Sequence, residues 1–271
     1  MERIILIETS TALCSVALAE DGIIVDYRES SAPKAHASLT AVFIQEMLSE
    51  RGLGVGDCNA VCVSMGPGSY TGLRVGVSTA KGLCFGAKVP LIAVGTLDTL
   101  VAQAGLRLAP PVQNADEEGT PVMSSEVEAS ADYKYIVPMI DARRMEVYTA
   151  VWKKNDLGNT DHIISSETGN QDREVSNFGQ ITETSPMIID ENSFADILAD
   201  GPVLFIGDGA GKCADVIKHP NAHFCQCHPK ASSMLSPALT EFRSGNFRDV
   251  AYFEPFYLKE FVATVSKKKL F

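Results

Sequence analysis

The chain has 271 residues, a formal net charge of −11 and an isoelectric point near 4.9. This length suffices for two hydrophobic cores, and an apolar content of 45% is that of an ordinary globular protein. The negative charge disfavours direct binding to nucleic acid or anionic membranes, and no segment has the roughly 20 apolar residues of a membrane span. Seven cysteines without a signal-peptide pattern indicate reduced thiols, so we expect a cytoplasmic protein.

Residues 1–108 have the pattern of one α/β unit. Buried-strand runs alternate with segments whose apolar residues have helical spacing. The predicted strands are 3–9, 14–19, 23–30, 60–63 and 91–94, and the predicted helices are 36–50, 71–85 and 97–104. The order βββαβαβα predicts a mixed sheet with helices on both faces.

A second unit is predicted for residues 133–271, after an acidic, proline-containing linker or insertion at 109–132. Its predicted strands are 135–140, 146–152, 161–165 and 203–206. Both units begin with antiparallel strands and continue as α/β, which indicates a degenerate duplication. We expect the final helix and tail of the second unit to pack back on the first.

A glycine-rich loop precedes the second predicted helix in SMGPGSYTGLRVGVSTAKGL, residues 64–83. A phosphate-binding P-loop has lysine directly after its last glycine. Here Lys81 lies nine residues after Gly72, roughly 13 Å along the helix axis at 1.5 Å per residue. The pattern therefore favours a helix start capped by Ser69 or Thr71 over a P-loop.

Small residues recur every fourth position in this helix, at Gly72, Gly76 and Ala80, and so lie on one face. A glycine inside a helix costs about 1 kcal/mol relative to alanine, which close approach of another backbone can offset. Two neighbours fit the pattern: the sheet of the same chain, or a helix of another subunit.

Two further segments allow either a nucleotide contact or a simple turn. Glu8, Thr9 and Ser10 follow the first strand, where an acid and hydroxyls handle metal and phosphate in actin-like ATPases. Gly207 and Gly209 follow a later strand, where small residues also serve as an ordinary strand-to-helix turn.

A patch of three histidines and two cysteines spans residues 219–228 and has the residue types of a zinc site. It lacks a CxxC pair, and strand alternation alone places His223, Cys225 and Cys227 on one face. We therefore expect no metal site here.

Four motifs match the TsaB (YeaZ) family in order and spacing, and the chain is identified as resembling that family. The motifs are IETSTALCSVALAEDG, SMGPGSYTGLRVGVSTAKGL, VPMIDARRMEVYTAVW and LFIGDGAGK. The chain departs from most relatives in having Glu8 for aspartate and Tyr70 for phenylalanine, both conservative changes.

The resemblance implies an actin/Hsp70-like, ribonuclease H-like fold of two lobes and a role in forming N6-threonylcarbamoyladenosine in tRNA. In this family TsaB is the non-catalytic partner of TsaD, which holds the metal and the ATP or ADP, and TsaE joins the complex. The metal-binding HxxxH motif of TsaD has no counterpart in AGLRLAPPVQNADEEG, so the resemblance implies no catalytic residue, cofactor or metal in this chain.

The resemblance also implies that TsaD binds the first two helices, that the chain forms a homodimer when alone, and that tRNA is contacted only indirectly. The implied interface residues are Leu39, Val42, Phe43, Gly72, Val75, Gly76, Thr79 and Ala80. Glu8, Thr9, Ser10, Gly207 and Gly209 would be vestigial nucleotide contacts. The alternatives are an ATP-binding enzyme of the actin-like fold and a glycoprotease-like zinc peptidase.

Overall fold

The computed structural model describes residues 1–107, 133–155 and 178–258. The acidic segment 109–132 and the strand predicted at 161–165 lie outside these residues. In the described part, no helix combines the length and apolar character that crossing a membrane requires.

The first lobe is built on a five-stranded mixed sheet. Its central strand pairs antiparallel with the second strand and parallel with the fourth, as the predicted element order requires. The strands are β1 Arg3–Glu8, β2 Cys14–Glu20, β3 Ile23–Ser30, β4 Ala60–Gly66 and β5 Leu91–Gly95, in the spatial order β3-β2-β1-β4-β5. The helices are α1 Ala35–Glu50, α2 Tyr70–Ala87 and α3 Thr96–Arg107.

The second lobe repeats this strand order. Its strands are β6 Tyr135–Asp141, β7 Glu146–Thr149, β8 Trp152–Lys154, β9 Phe178–Gln180, β10 Ser185–Ile188, β11 Val203–Gly207 and β12 Ala222–Gln226. The main path is β10-β7-β6-β11-β12, with β8 joined to β6 and β9. Its helices are α4 Ala195–Asp200, α5 Ala210–Ala214 and α6 Leu235–Arg243. The shared order supports the predicted duplication.

The prediction of a single strand at 146–152 is wrong, because the structure has two separate strands there, β7 and β8. They pair with different parts of β6, on either side of Pro138. Proline has no N–H to donate to an antiparallel ladder. The Thr149 hydroxyl instead donates to the Pro138 carbonyl at 2.8 Å, and the Val151 N–H donates to the Thr182 hydroxyl at 2.8 Å.

Segments from outside the first sheet join the two lobes. Met234 and Ala238, from the start of α6, are fully buried in one cluster with Ile4, Leu6 and Ile92 of the first sheet. In the other direction, α3 places Leu97, Leu100, Val101 and Ala104 in a cluster with second-lobe side chains, among them Ile136 and Leu204. Each lobe therefore completes part of the other's core.

The start of α2 is capped as the sequence predicts. The Ser69 hydroxyl accepts a hydrogen bond from the Gly72 N–H at 3.3 Å, and the loop before it is anchored by Ser69 N–H donating to the Ser10 carbonyl at 2.6 Å. A side-chain acceptor at this position satisfies one of the amides that a helix start leaves unpaired.

The Gly72, Gly76 and Ala80 row of α2 packs on the sheet of its own chain, which corrects its assignment to a partner interface. A methyl group at Gly72 would overlap the Thr9 carbonyl oxygen, and one at Gly76 would overlap the Thr9 hydroxyl. That hydroxyl donates to the Gly72 carbonyl at 2.9 Å, and Ala80 is fully buried. The glycines are therefore needed because α2 approaches the end of β1 too closely for any side chain.

We predict that Gly76→Ala destabilises the protein by about 2 kcal/mol, because the added methyl group overpacks a fully buried contact. Gly82→Ala is the matched control, since a methyl group there meets open space. It should stabilise the protein by about 0.5 kcal/mol through helix propensity. Urea unfolding followed by circular dichroism measures both, and equal effects of the two substitutions would contradict this packing.

Candidate functional site

The face of α2 opposite the glycine row is open to solvent. This outer face consists of Ser78, Gly82, Phe85 and Gly86. Phe85 is 81% exposed, and a side chain built at either glycine would meet nothing within 4 Å. A large apolar side chain beside two bare stretches of helix backbone forms a surface on which another helix can pack closely.

Helix α1 contacts α2 and has partly exposed apolar side chains of its own. Val42 is 40% exposed, whereas Leu39 and Phe43 are half-buried. On α2, Val75 and Thr79 are also half-buried. Five of the eight predicted interface residues therefore reach the surface.

The outer small-residue row was missed by the sequence analysis, although its signal was present. Ser78, Gly82 and Gly86 have the same four-residue spacing as the buried row, six positions further along the helix. Spacing identifies a row of small residues but cannot say which of two rows the sheet covers.

The chain's own segment 249–257 borders the outer face on one side. The Lys81 ammonium group donates to the carbonyls of Ala251 and Phe253, both at 3.0 Å. The Tyr257 ring lies 4.8 Å from that of Tyr70. Lys81 therefore holds this segment against α2, which agrees with the prediction that it is not a phosphate-binding lysine.

The turn after β1 is closed rather than open to a ligand. Glu8, Thr9 and Ser10 are each 0% exposed. Gly68 sits so close that a methyl group on it would overlap the Ser10 carbonyl. The loop that resembles a phosphate cradle thus packs directly over this turn, and the arrangement does not support the nucleotide contacts expected there.

Glu8 is a buried carboxyl group with only half of its hydrogen-bonding capacity used. Its Oε1 accepts from the Ser10 N–H at 2.7 Å, whereas Oε2 has no hydrogen-bond partner. Burial raises the pKa of Glu8 from 4.5 to about 7, and the hydrogen bonds with Ser10 oppose this rise without cancelling it.

The second glycine loop is also filled by its own chain. A methyl group at Gly207 would overlap the Met139 carbonyl, and one at Gly209 would lie 2.9 Å from a Val147 methyl group. The Gln226 side chain accepts from the Gly211 N–H at 2.6 Å and donates to the Asp208 carbonyl at 2.9 Å. The described contacts therefore fit a strand-to-helix turn better than an adenosine site.

The histidines of the 219–228 patch have separate surroundings. His219 accepts a hydrogen bond from the backbone N–H two residues further on, and the His223 ring packs edge-on against Tyr133. His228 lies 3.9 Å from the Asp208 carboxylate. In the described ranges, no three His, Cys, Asp or Glu side chains are grouped so that they could hold a metal ion.

The chain has two α/β lobes with the same strand order, and each lobe completes part of the other's core. These features define its structural class, which is the two-lobed actin/Hsp70-like fold. YeaZ from Pseudomonas aeruginosa has this fold, with a TM-score of 0.70, 21% identity and coverage of 95% of this chain and 100% of that one.

Sequence comparisons show which known proteins the chain is similar to. Residues 29–115 match the model of the family "TsaD: tRNA N6-adenosine threonylcarbamoyltransferase". The Escherichia coli K12 "tRNA threonylcarbamoyladenosine biosynthesis protein TsaB" is 29% identical over 271 residues, covering 96% of both chains. The Haemophilus influenzae protein of the same name is 41% identical over 102 residues, 38% of this chain and 42% of that one. The chain is therefore similar to TsaB (YeaZ) proteins over nearly its whole length.

We predict that Glu8 makes the protein less stable as the pH rises from 5 to 8. A carboxyl group whose pKa is raised by folding binds more protons in the folded state, so stability falls between its unfolded and folded pKa values. For values of 4.5 and about 7 the loss reaches about 2 kcal/mol over this pH range.

Glu8→Gln removes this titration but keeps the shape of the side chain. Urea unfolding measures the free energy of unfolding of both chains at pH 5 and pH 8. Between these pH values, the free energy of unfolding of the variant should rise by about 2 kcal/mol relative to that of the natural chain. A stability difference that does not change with pH would show that Glu8 is ionised in the folded protein throughout.

Proposed function

We propose that the chain acts in the biosynthesis of N6-threonylcarbamoyladenosine in tRNA, as a non-catalytic subunit that binds and activates a TsaD homologue. Similarity to TsaB proteins supports the pathway, because the relatives that match over most or part of the chain are named for it. The match of residues 29–115 to the TsaD family supports common ancestry with the transferase itself.

The observation that carries the partner-binding role is the open backbone of α2. Each glycine in the middle of a helix costs about 1 kcal/mol, and Gly82 has no contact that offsets this loss. Gly72 and Gly76 are explained by the sheet, so Gly82 and Gly86 remain unexplained within the chain. A TsaD helix packed against the outer face would bury Phe85 and approach the α2 backbone closely.

The net negative charge of the chain and the contact of His36 with the turn after β1 support a non-catalytic role. A net charge of −11 disfavours binding of tRNA by this chain alone, so the partner would contact the RNA. His36, in the first lobe, has its Nε2 2.8 Å from the Thr11 carbonyl, which is a structural contact. ATP or ADP and metal would bind to TsaD, and TsaE would join through the TsaB–TsaD pair.

The rival hypothesis is an ATP-binding enzyme that uses Glu8 and the Gly207 loop. The burial of the first and the tight packing of the second disfavour it. We predict that calorimetric titration of the isolated chain with Mg-ATP gives no saturable heat at micromolar concentrations. Stoichiometric binding that Glu8→Gln abolishes would favour the rival.

We predict that Gly82→Leu weakens binding to TsaD at least about tenfold, because the leucine side chain prevents close approach of the two helices. The same variant should reduce formation of the modified adenosine in a reaction reconstituted with TsaD, TsaE and the enzyme that makes the adenylate. Calorimetry measures the affinity, and liquid chromatography of nucleosides measures the modification.

Gly105→Leu is the matched control, because Gly105 is also an exposed helical glycine with open space around it but lies on α3. It should leave binding and modification unchanged. Wild-type affinity of the Gly82→Leu chain for TsaD would overturn the assignment of the outer face. Full modification without this chain would overturn the function itself.

When TsaD is absent, a second copy of the chain would cover the same face as a homodimer. Gly82→Leu should then shift the chain toward monomer in sedimentation velocity at the concentration where the natural chain is dimeric. An unchanged dimer would place the self-association elsewhere.

A further inference from the structure

An exposed arginine lies at the start of the solvent-facing side of α2. Arg74 lies four residues before Ser78 and so shares its face of the helix, roughly 6 Å nearer the helix start at 1.5 Å per residue. Phe85 lies in the last turn of the same helix. The solvent-facing side of α2 is therefore charged at one end and apolar at the other.

Two aromatic rings hold the Arg74 side chain in place. Its guanidinium carbon lies 5.4 Å from the centre of the Tyr70 ring, and its Nη1 donates to the Tyr70 hydroxyl at 3.4 Å. The centre of the Tyr70 ring lies 4.8 Å from that of Tyr257, which belongs to the segment that Lys81 holds against α2. A cation–π interaction restricts the arginine, so less side-chain freedom is lost when it binds a partner.

No acidic group of the described residues forms an ion pair with Arg74. Five other arginines each have a carboxylate oxygen within 3.8 Å of a guanidinium nitrogen, namely Arg3, Arg28, Arg51, Arg243 and Arg248. The chain has 34 acidic residues against 23 basic ones, so acids are plentiful. The pre-positioned charge of Arg74 is therefore unused within the part of the chain that the structure describes.

The surroundings of Arg74 favour one protein carboxylate over a run of RNA phosphates. A surface that binds RNA phosphates has several basic side chains close together. The next basic residue along α2, Lys81, is already bound to two carbonyls of the chain's own segment 249–257. One isolated guanidinium matches one carboxylate.

We propose that Arg74 pairs with a carboxylate of the TsaD helix that packs on the outer face. This pairing rests on the proposed function and adds the chemistry of the contact. A guanidinium donates two parallel hydrogen bonds to one carboxylate, which fixes the position of the acid closely. The partner helix then places an acid beside the start of α2 and an apolar surface beside Phe85. The pair thereby sets the direction in which the partner helix lies.

Substitution of Arg74 tests the pairing by calorimetry with purified TsaD. Arg74→Met should weaken binding about tenfold, since a charge-assisted hydrogen bond is lost, and Arg74→Glu should weaken it further, since two like charges meet. Arg143→Glu is the matched control, because Arg143 is exposed in the second lobe and also has no ion pair among the described residues. It should bind TsaD as the natural chain does. Circular dichroism checks that each variant is folded, and Arg74→Met keeps the test valid if Arg74→Glu is not.

A second charge reversal identifies the partner group. Each Asp and Glu on the TsaD surface is changed in turn to Lys, and each TsaD variant is titrated with the natural chain and with Arg74→Glu. One TsaD variant should bind the natural chain weakly and the Arg74→Glu chain at least about tenfold more tightly.

The outcomes separate this pairing from the proposed function. Failure of the natural chain to bind TsaD would overturn both. Undiminished binding of folded Arg74→Glu and Arg74→Met chains, or rescue by no TsaD variant, would overturn the pairing and leave the function standing. Weakening by Arg74→Glu only when tRNA is present would assign Arg74 to a phosphate. Loss of a homodimer with TsaD binding unchanged would assign it to a second copy. Either assignment would overturn the pairing with TsaD.

Discussion

The approach of α2 to the end of β1 is the contact on which the rest of the first lobe depends. Thr9 occupies the space that side chains at positions 72 and 76 would need, and its hydroxyl donates to the Gly72 carbonyl. This contact fixes the rotation of α2 about its axis. One row of small residues then faces the sheet, and the second row, Ser78, Gly82 and Gly86, must face outward.

The same approach closes the turn that would otherwise be available to a ligand. With α2 held against Thr9, the preceding loop comes to rest on Ser10, and Glu8 is buried beneath it. The cost of burying a carboxylate appears as the raised pKa of Glu8. Part of the chain matches the model of a transferase family. In this chain, the turn after β1 is filled by the chain's own residues.

The strands and helices of the first lobe could be predicted from the sequence, because their apolar spacing and the Ser69 cap are local signals. The orientation of α2 could not, because both small-residue rows have the same spacing and only the position of Thr9 distinguishes them. The break between β7 and β8 was missed for a similar reason, since it depends on Pro138 in a neighbouring strand.

The central claim is that the outer face of α2 meets TsaD while the inner face holds the fold together. Photocrosslinking tests it most directly, with a benzoylphenylalanine residue placed at exposed Ser78 and, as a control, at exposed Lys218 of the second lobe. The account predicts crosslinks to TsaD from position 78 and none from position 218. Crosslinks from position 218 alone would contradict it.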